Sequence, residues 1–385
     1  MKIKDLPRFK HRSHQPENQL VGGFCVSPKQ SSMKISLTII YLFFIVILLS
    51  GCSDLGYYIQ CAKGQMEVMS DSRPIAEVIT DPQTTPEIRQ RLEKVLLIRD
   101  FAVTELGLPD NDSYRSYADI GRPYVVWNVV AAAEFSLKPK QWCFPIAGCV
   151  SYRGYFEQQE AEALASTLRT ESYDVDLYGV QAYSTLNWFD DPVLNTFISS
   201  SDAQLAGLLF HELAHQLIYI DDDTSFNEAF AMTVQIEGVR RWFQQRGNPE
   251  EWQRFLEHQA QGESFQNYLQ KIHNQLETLY HQDLPTAQMR TEKHRLISRA
   301  IADFDQLKSA GQLDHHFDQW MSRGLNNARL AGIATYRELI PGFQNLLQQC
   351  QGDFSCFYIQ VTKLGQLSRI ERLSQLKQSP LTAKQ

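Results

Sequence analysis

His211, Glu212 and His215 stand in the order His-Glu-Leu-Ala-His, and Asn227-Glu228-Ala229-Phe230-Ala231 follows after a short polar stretch. On a helix, positions i and i+4 lie one above the other on a single face, so both imidazoles can aim a ring nitrogen at one metal ion. Glu212 falls one step round, beside the metal rather than on it. A carboxylate there can take a proton from a water and hand it to a leaving amine. With Zn2+ this chemistry needs three protein ligands and one open position, so a third ligand must come from elsewhere.

Glu228 is the expected third ligand. Ser225 to Glu228 reads as the start of a second helix, continued at helical spacing by Phe226, Ala229, Phe230, Val234 and Ile236. Two antiparallel helices would bring Glu228 against the histidines. Their connection, Asp221-Asp222-Asp223-Thr224, has the composition of an exposed turn. Asp221 sits where an elongated form of the motif carries its third ligand. That form turns the chain back on a glycine, and Ile218 occupies the position here. Two simpler readings compete: an ordinary helix with two histidines and no metal, and Glu228 as the N3 residue of a capping box begun by Ser225.

The elements that must position these residues are visible as periodicity. Ser200, Ser201 and Asp202 offer an N-cap to the first helix, and Leu205, Leu208, Leu209 and Leu213 supply its apolar stripe. Apolar residues recur at helical period over about 86–106, 157–171, 201–219, 225–246, 249–281 and 286–310. Gly107 and Gly247 stand where helices would stop. Val175 to Ala182 alternates and is the best strand candidate, with Tyr124 to Val130 behind it. The expected fold class is α+β and mostly helical, a small sheet beside the histidine helix, in one domain over 52–385.

Composition agrees, since 43% apolar and 21% charged residues are ordinary for a globular chain of 385 residues. The net charge is −7 and no basic patch stands out, which sets nucleic acid aside as a partner. Leu37 to Leu49 is an apolar run too short for a comfortable membrane span, and it ends in Leu49-Ser50-Gly51-Cys52. This is the pattern of a lipoprotein signal over 33–51, with Cys52 as the lipidated residue and the lipid as membrane anchor. Residues 1–32 read as an unstructured or non-native extension. Ser53, rather than an aspartate, points to the periplasmic face of the outer membrane. An oxidising compartment suits Cys143 with Cys149 and Cys350 with Cys356, each pair close enough to close a small disulfide loop, with Cys61 outside both.

The segments Phe210-His211-Glu212-Leu213-Ala214-His215 and Phe226-Asn227-Glu228-Ala229-Phe230-Ala231 resemble the two zinc segments of the thermolysin and aminopeptidase N type. More closely, the chain is similar to a bacterial family of predicted aminopeptidase lipoproteins over most of its length after residue 52. Further segments carrying that likeness are Tyr183-Ser184-Thr185-Leu186, Trp188-Phe189-Asp190-Asp191-Pro192 and Leu325-Asn326-Asn327-Ala328. The glutamate segment lies nearer the histidines than in aminopeptidase N. That enzyme's Gly-Ala-Met-Glu-Asn segment has no counterpart here. Aminopeptidase activity is therefore implied by the closer family's name alone.

The resemblance implies a zincin-like core, Zn2+ as cofactor, a peptide or protein substrate, and a substrate-binding strand edge near Val180 to Ser184. Tyr183 and Tyr336 are candidates to stabilise the developing oxyanion, because they come from, or lie near, the segments that carry the likeness. Asp190, Asp191 and Glu237 are candidates to hold a substrate amine. Arg290, Lys293 and Arg295 read as a solvated basic face. An envelope endopeptidase and a noncatalytic, metal-containing envelope scaffold are the alternatives.

Overall fold

The computed structural model describes residues 52–377 except 145–147, 186–187, 247 and 332–338. Tyr336 and residues 1–51, with the signal expected there, lie outside the described residues. The chain divides into Met1–Tyr57 and Tyr58–Gln385.

All six long helices expected from periodicity form, each within about two residues of its expected ends. In chain order the elements are α1 (Cys52–Ser70), β1 (Ser72–Pro74), α2 (Ile75–Thr80), α3 (Pro86–Thr104), β2 (Ser116–Ala118), β3 (Val126–Ala133), β4 (Trp142–Phe144), β5 (Gly148–Val150) and β6 (Arg153–Tyr155). Next come α4 (Gln158–Thr170), β7 (Tyr173–Val180), β8 (Val193–Leu194), α5 (Asn195–Ile198), α6 (Asp202–Leu217), α7 (Thr224–Arg246), α8 (Pro249–Tyr280) and α9 (Thr286–Ser309). Five short helices complete the series: α10 (Asp318–Ser322), α11 (Asn327–Ala331), α12 (Ile340–Gln349), α13 (Phe354–Gly365) and α14 (Arg369–Lys377). Among the described residues no helix is long and apolar enough to cross a membrane.

Strand is divided among three small sheets instead of the single one expected: β1-β2-β8, β6-β3-β7 and the hairpin β4-β5. The Cys143–Cys149 disulfide closes that hairpin, and Cys350–Cys356 joins the end of α12 to the start of α13. In the middle sheet β3 pairs antiparallel with both neighbours, Asn128 standing opposite Tyr178 on β7. That leaves β7 on an edge.

Two apolar clusters hold the helices. The larger gathers α3, α6, α7, α12 and α13 around Phe210, Phe226, Phe230, Phe343 and Phe357, all fully buried. The smaller lies between α8 and α9 around Phe265, Leu269, Leu276 and Phe304. Burying one such side chain contributes roughly 1.5–3 kcal/mol, so packing rather than helix propensity decides where these segments sit.

Of the expected solvated basic face, Arg290 and Arg295 are exposed, and Lys293 is the correction. Lys293 is buried and donates to Asp174 at 2.7 Å and to the Glu134 carbonyl at 2.9 Å, while Arg290 pairs with Glu134. Asn327 completes this joint, its amide donating to the carbonyls of Ala133 and Glu134 and its backbone N–H to Asp174. The Leu325-to-Ala328 segment thus clamps the middle sheet to α9.

Candidate metal centre

The first helix of the site begins as its sequence requires. Ser201 caps α6 in a capping box with Gln204, and Asp202 in the first turn pairs with Arg91 at 2.6 Å and with Lys94, both on α3. Leu205, Leu209, Phe210 and Leu213 are fully buried, which fixes the rotation of α6 and turns His211 and His215 toward α7.

The turn between the helices is less exposed than its composition suggests. Asp221 and Asp222 face solvent, Asp222 with a left-handed φ of 59°. Asp223 is buried and accepts two hydrogen bonds from Arg372 of α14, at 2.7 and 3.0 Å. Its other oxygen accepts from Phe226 N–H, so Asp223 caps α7 and the capping box proposed for Ser225 does not form. Asn227 is buried and closes the turn from inside: Ile220 N–H donates to its Oδ1 and its Nδ2 donates to the Ile220 carbonyl, both at 2.8 Å.

This clamp delivers Glu228 to the histidines. His211 Nε2 lies 3.3 Å from Glu228 Oε2, His215 Nε2 lies 3.5 Å from Oε1, and the two Nε2 atoms are 3.1 Å apart. Ligands at about 2.0–2.1 Å from a tetrahedral zinc stand roughly 3.3–3.4 Å from one another. The three donors fit that spacing, and among the described residues they are the group that could hold a metal ion. Asp221 is not part of it.

A further residue, absent from the sequence reading, orients the first ligand. Gln235 lies seven positions after Glu228, two turns along the same face of α7, and its Oε1 is 3.1 Å from His211 Nδ1. A donor at Nδ1 leaves the Nε2 lone pair for a metal. Gly207 makes room for Gln235, since a Cβ there would meet its amide at 3.1 Å. Contacts of 215 with 228, 211 with 235 and 207 with 235 show the antiparallel pairing of α6 and α7. His215 Nδ1 is buried without a hydrogen-bond partner.

Burial by itself would raise the Glu228 carboxyl, but hydrogen bonds from His211 and His215 outweigh it and hold the pKa down to about 2. Glu212 behaves oppositely. Burial raises its pKa, the histidines pull it down, and the charges of Glu228 and Asp191 add to the rise. Burial raises the pKa of the Tyr152 phenol, and the charges of Tyr178, Tyr219, Glu228 and Glu212 add to the rise. The Tyr219 ring meets His215 edge-on at 6.3 Å.

The remaining candidates go elsewhere. Tyr183 donates its hydroxyl to Gln65 and packs edge-on against Phe156. Asp191 is buried and accepts from Thr185 N–H at 2.9 Å and from the Thr185 hydroxyl at 2.8 Å, closing the base of the loop that exposes Trp188 and Phe189. Glu237 is held by Arg240 and Arg241. A wide groove between α8 and α9, lined by Gln270, Asn274 and Gln282, contains none of the metal group.

Residues 56–376 match a family model whose description is "Putative aminopeptidase". Comparison with curated proteins and with solved structures finds no match.

Proposed function

The chain belongs to the family described as "Putative aminopeptidase", and from that membership we propose that it is a zinc-dependent peptidase of zincin-like architecture, an aminopeptidase by preference. The observation that carries the zinc reading is the convergence of His211, His215 and Glu228 from two helices, with the partly buried carboxylate of Glu212 beside them.

Zinc, when bound by these three residues, supplies Lewis acidity toward the scissile carbonyl and the attacking water. The chain's own residues do the rest. Glu212 takes the proton from that water and delivers it to the leaving amine. Gln235 holds the His211 ring. Tyr219, whose ring meets His215 edge-on, is better placed than Tyr183 to donate to a developing oxyanion, because the Tyr183 hydroxyl is committed to Gln65. The edge strand β7 offers main-chain groups to an extended peptide.

One observation favours an endopeptidase as the second reading: of the three acidic residues suited to a substrate amine, Asp191 and Glu237 are already satisfied. Cleavage of free and N-acetylated peptides separates the two. Activity confined to free N-termini supports the exopeptidase. Elemental analysis tests the metal, with Glu228→Ala losing zinc and Asp221→Ala keeping it. Glu212→Gln should retain zinc and lose roughly 10²–10⁴-fold in cleavage rate; unchanged cleavage would remove Glu212 from the mechanism.

For the address, the proposal is acylation of Cys52 after cleavage of the preceding segment, with the protein held to the periplasmic face of the outer membrane. Support comes from Leu49-Ser50-Gly51-Cys52 behind an apolar run. Cys52→Ala should leave the membrane fraction or remain unprocessed.

A further inference from the structure

Helices α8 and α9 pack through Phe265, Leu269 and Phe304 and leave between them a groove of about 820 Å³. Six of the residues lining it carry carboxamides. Asn267, Gln270, Asn274 and Gln275 recur on one face of α8 at helical spacing, Gln282 follows at the turn, and Gln288 stands on α9. Leu279, Leu284 and Leu296 offer apolar surface between them. Charge nearly cancels, because Arg295 pairs with Glu292 at 2.8 Å and leaves Lys271 as the one unbalanced charge among the described lining residues. None of those residues is aromatic.

A carboxamide carries an acceptor and two donors, so it can meet the N–H and the C=O of a main chain together. Asn227 does this elsewhere in the chain, pairing with both groups of Ile220 at 2.8 Å. In the groove, Gln270 Nε2 donates to Asn274 Oδ1 at 2.9 Å. The bond holds the two side chains to each other and leaves Gln270 Oε1 beside Asn274 Nδ2, an acceptor next to a donor. That is the complement of a main-chain N–H and C=O. The lining runs along α8 from Asn267 to Thr278, about 17 Å at the helical rise, which is the reach of about five extended residues. A neutral, extended, hydrogen-bonding ligand fits this surface. A phosphate polymer would meet a single unbalanced cation, and a sugar ring would find no aromatic face to rest on.

We propose that the groove between α8 and α9 binds the extended main chain of a peptide, about five residues at a time, through its carboxamides. The site stands apart from the metal group and does not depend on the reading of that group as catalytic. The probe is an N-acetylated decapeptide of alternating alanine and serine with a C-terminal fluorophore, titrated by fluorescence anisotropy against the metal-stripped protein, so that it is bound and not cut. Saturable binding is expected below about 1 mM. Replacing Gln270 and Asn274 together by alanine should weaken it about tenfold, the scale of one or two net hydrogen bonds, with Tm little changed because alanine is the better helix former. Gln253→Ala, on α8 outside the groove, should bind as wild type does. The same decapeptide N-methylated at alternate residues has lost half its main-chain donors and should not bind the wild type. Absence of saturable binding, equal binding of the N-methylated peptide, or equal loss with Gln253→Ala would each overturn the proposal. Tighter binding of chitohexaose, a neutral glycan, would overturn it in favour of a sugar polymer. If the double variant does not fold, the comparison of the two peptides on the wild type still decides.

Discussion

Asn227 should matter more to the centre than a residue that touches no metal ligand ordinarily would. Its carboxamide makes both halves of an amide-to-amide pair with Ile220 at 2.8 Å, and it is buried, so its removal opens the turn that sets the register of Glu228 against His211 and His215. Two net hydrogen bonds contribute about 0.5–1.5 kcal/mol each, and because Ile220 is only partly buried its freed groups recover some hydration. Alanine's better helix propensity returns a few tenths of a kcal/mol. Asn227→Ala should therefore destabilise the metal-free protein by about 1–3 kcal/mol in urea unfolding, with an unchanged m-value. Asn227→Asp is the sharper probe. It keeps size and the acceptor for Ile220 N–H but sets a carboxylate oxygen against the Ile220 carbonyl, so it should cost at least as much as alanine. Both should weaken zinc binding about 10–100-fold in chelator competition, as loss of support around metal ligands generally does. Asp222→Gly, at an exposed left-handed position in the same turn, should be neutral or stabilising. An Asn227→Asp protein as stable as wild type, binding zinc equally, would refute the clamp.

Gly238→Ala should cost about 1–3 kcal/mol in the same assay, since its Cβ would stand 2.7 Å from the Phe210 ring and 2.8 Å from Leu106, whereas Gly262→Ala, with open space around it in α8, should gain about 0.5–1 kcal/mol. Asp202→Asn should destabilise by about 1–3 kcal/mol near neutral pH. Burial raises the Asp202 pKa, but bonds from Lys94 and Arg91 bring the folded value below the usual carboxylate range, so its contribution is complete above about pH 4 and is lost as pH falls through the folded value. The gap between variant and wild type should close in acid. Paired replacement of Cys350 and Cys356 by serine should cost about 2 kcal/mol, the loop entropy for cysteines six positions apart.

The long helices were legible because each exceeds three turns, so its apolar spacing is repeated enough to stand above chance. Ser201 was legible as a cap for the same local reason. Both disulfide pairings followed from spacing. The turn at 221–224 was misread because three consecutive aspartates look like solvent-facing charge; the partner that buries Asp223, Arg372, lies 149 residues away. Lys293 was misread similarly, its acceptors Glu134 and Asp174 being more than a hundred positions distant. Gln235 was findable, two turns from Glu228 on one face, yet a glutamine carries no chemistry that singles it out.

The pairing of Asp223 with Arg372 has a consequence for synthesis. At roughly 5–20 residues per second, the ribosome reaches Arg372 about 7–30 s after Asp223. During that interval both histidines and Glu228 have been made, but the carboxylate that begins Glu228's helix has no cation to accompany it into the interior. Burying it alone is unfavourable, so the hairpin should stay loosely closed until the last described helix emerges and docks. The C-terminal helix thus sets the moment at which the nascent chain becomes able to keep a metal, and a transcript truncated before codon 372 would yield every ligand without a finished centre.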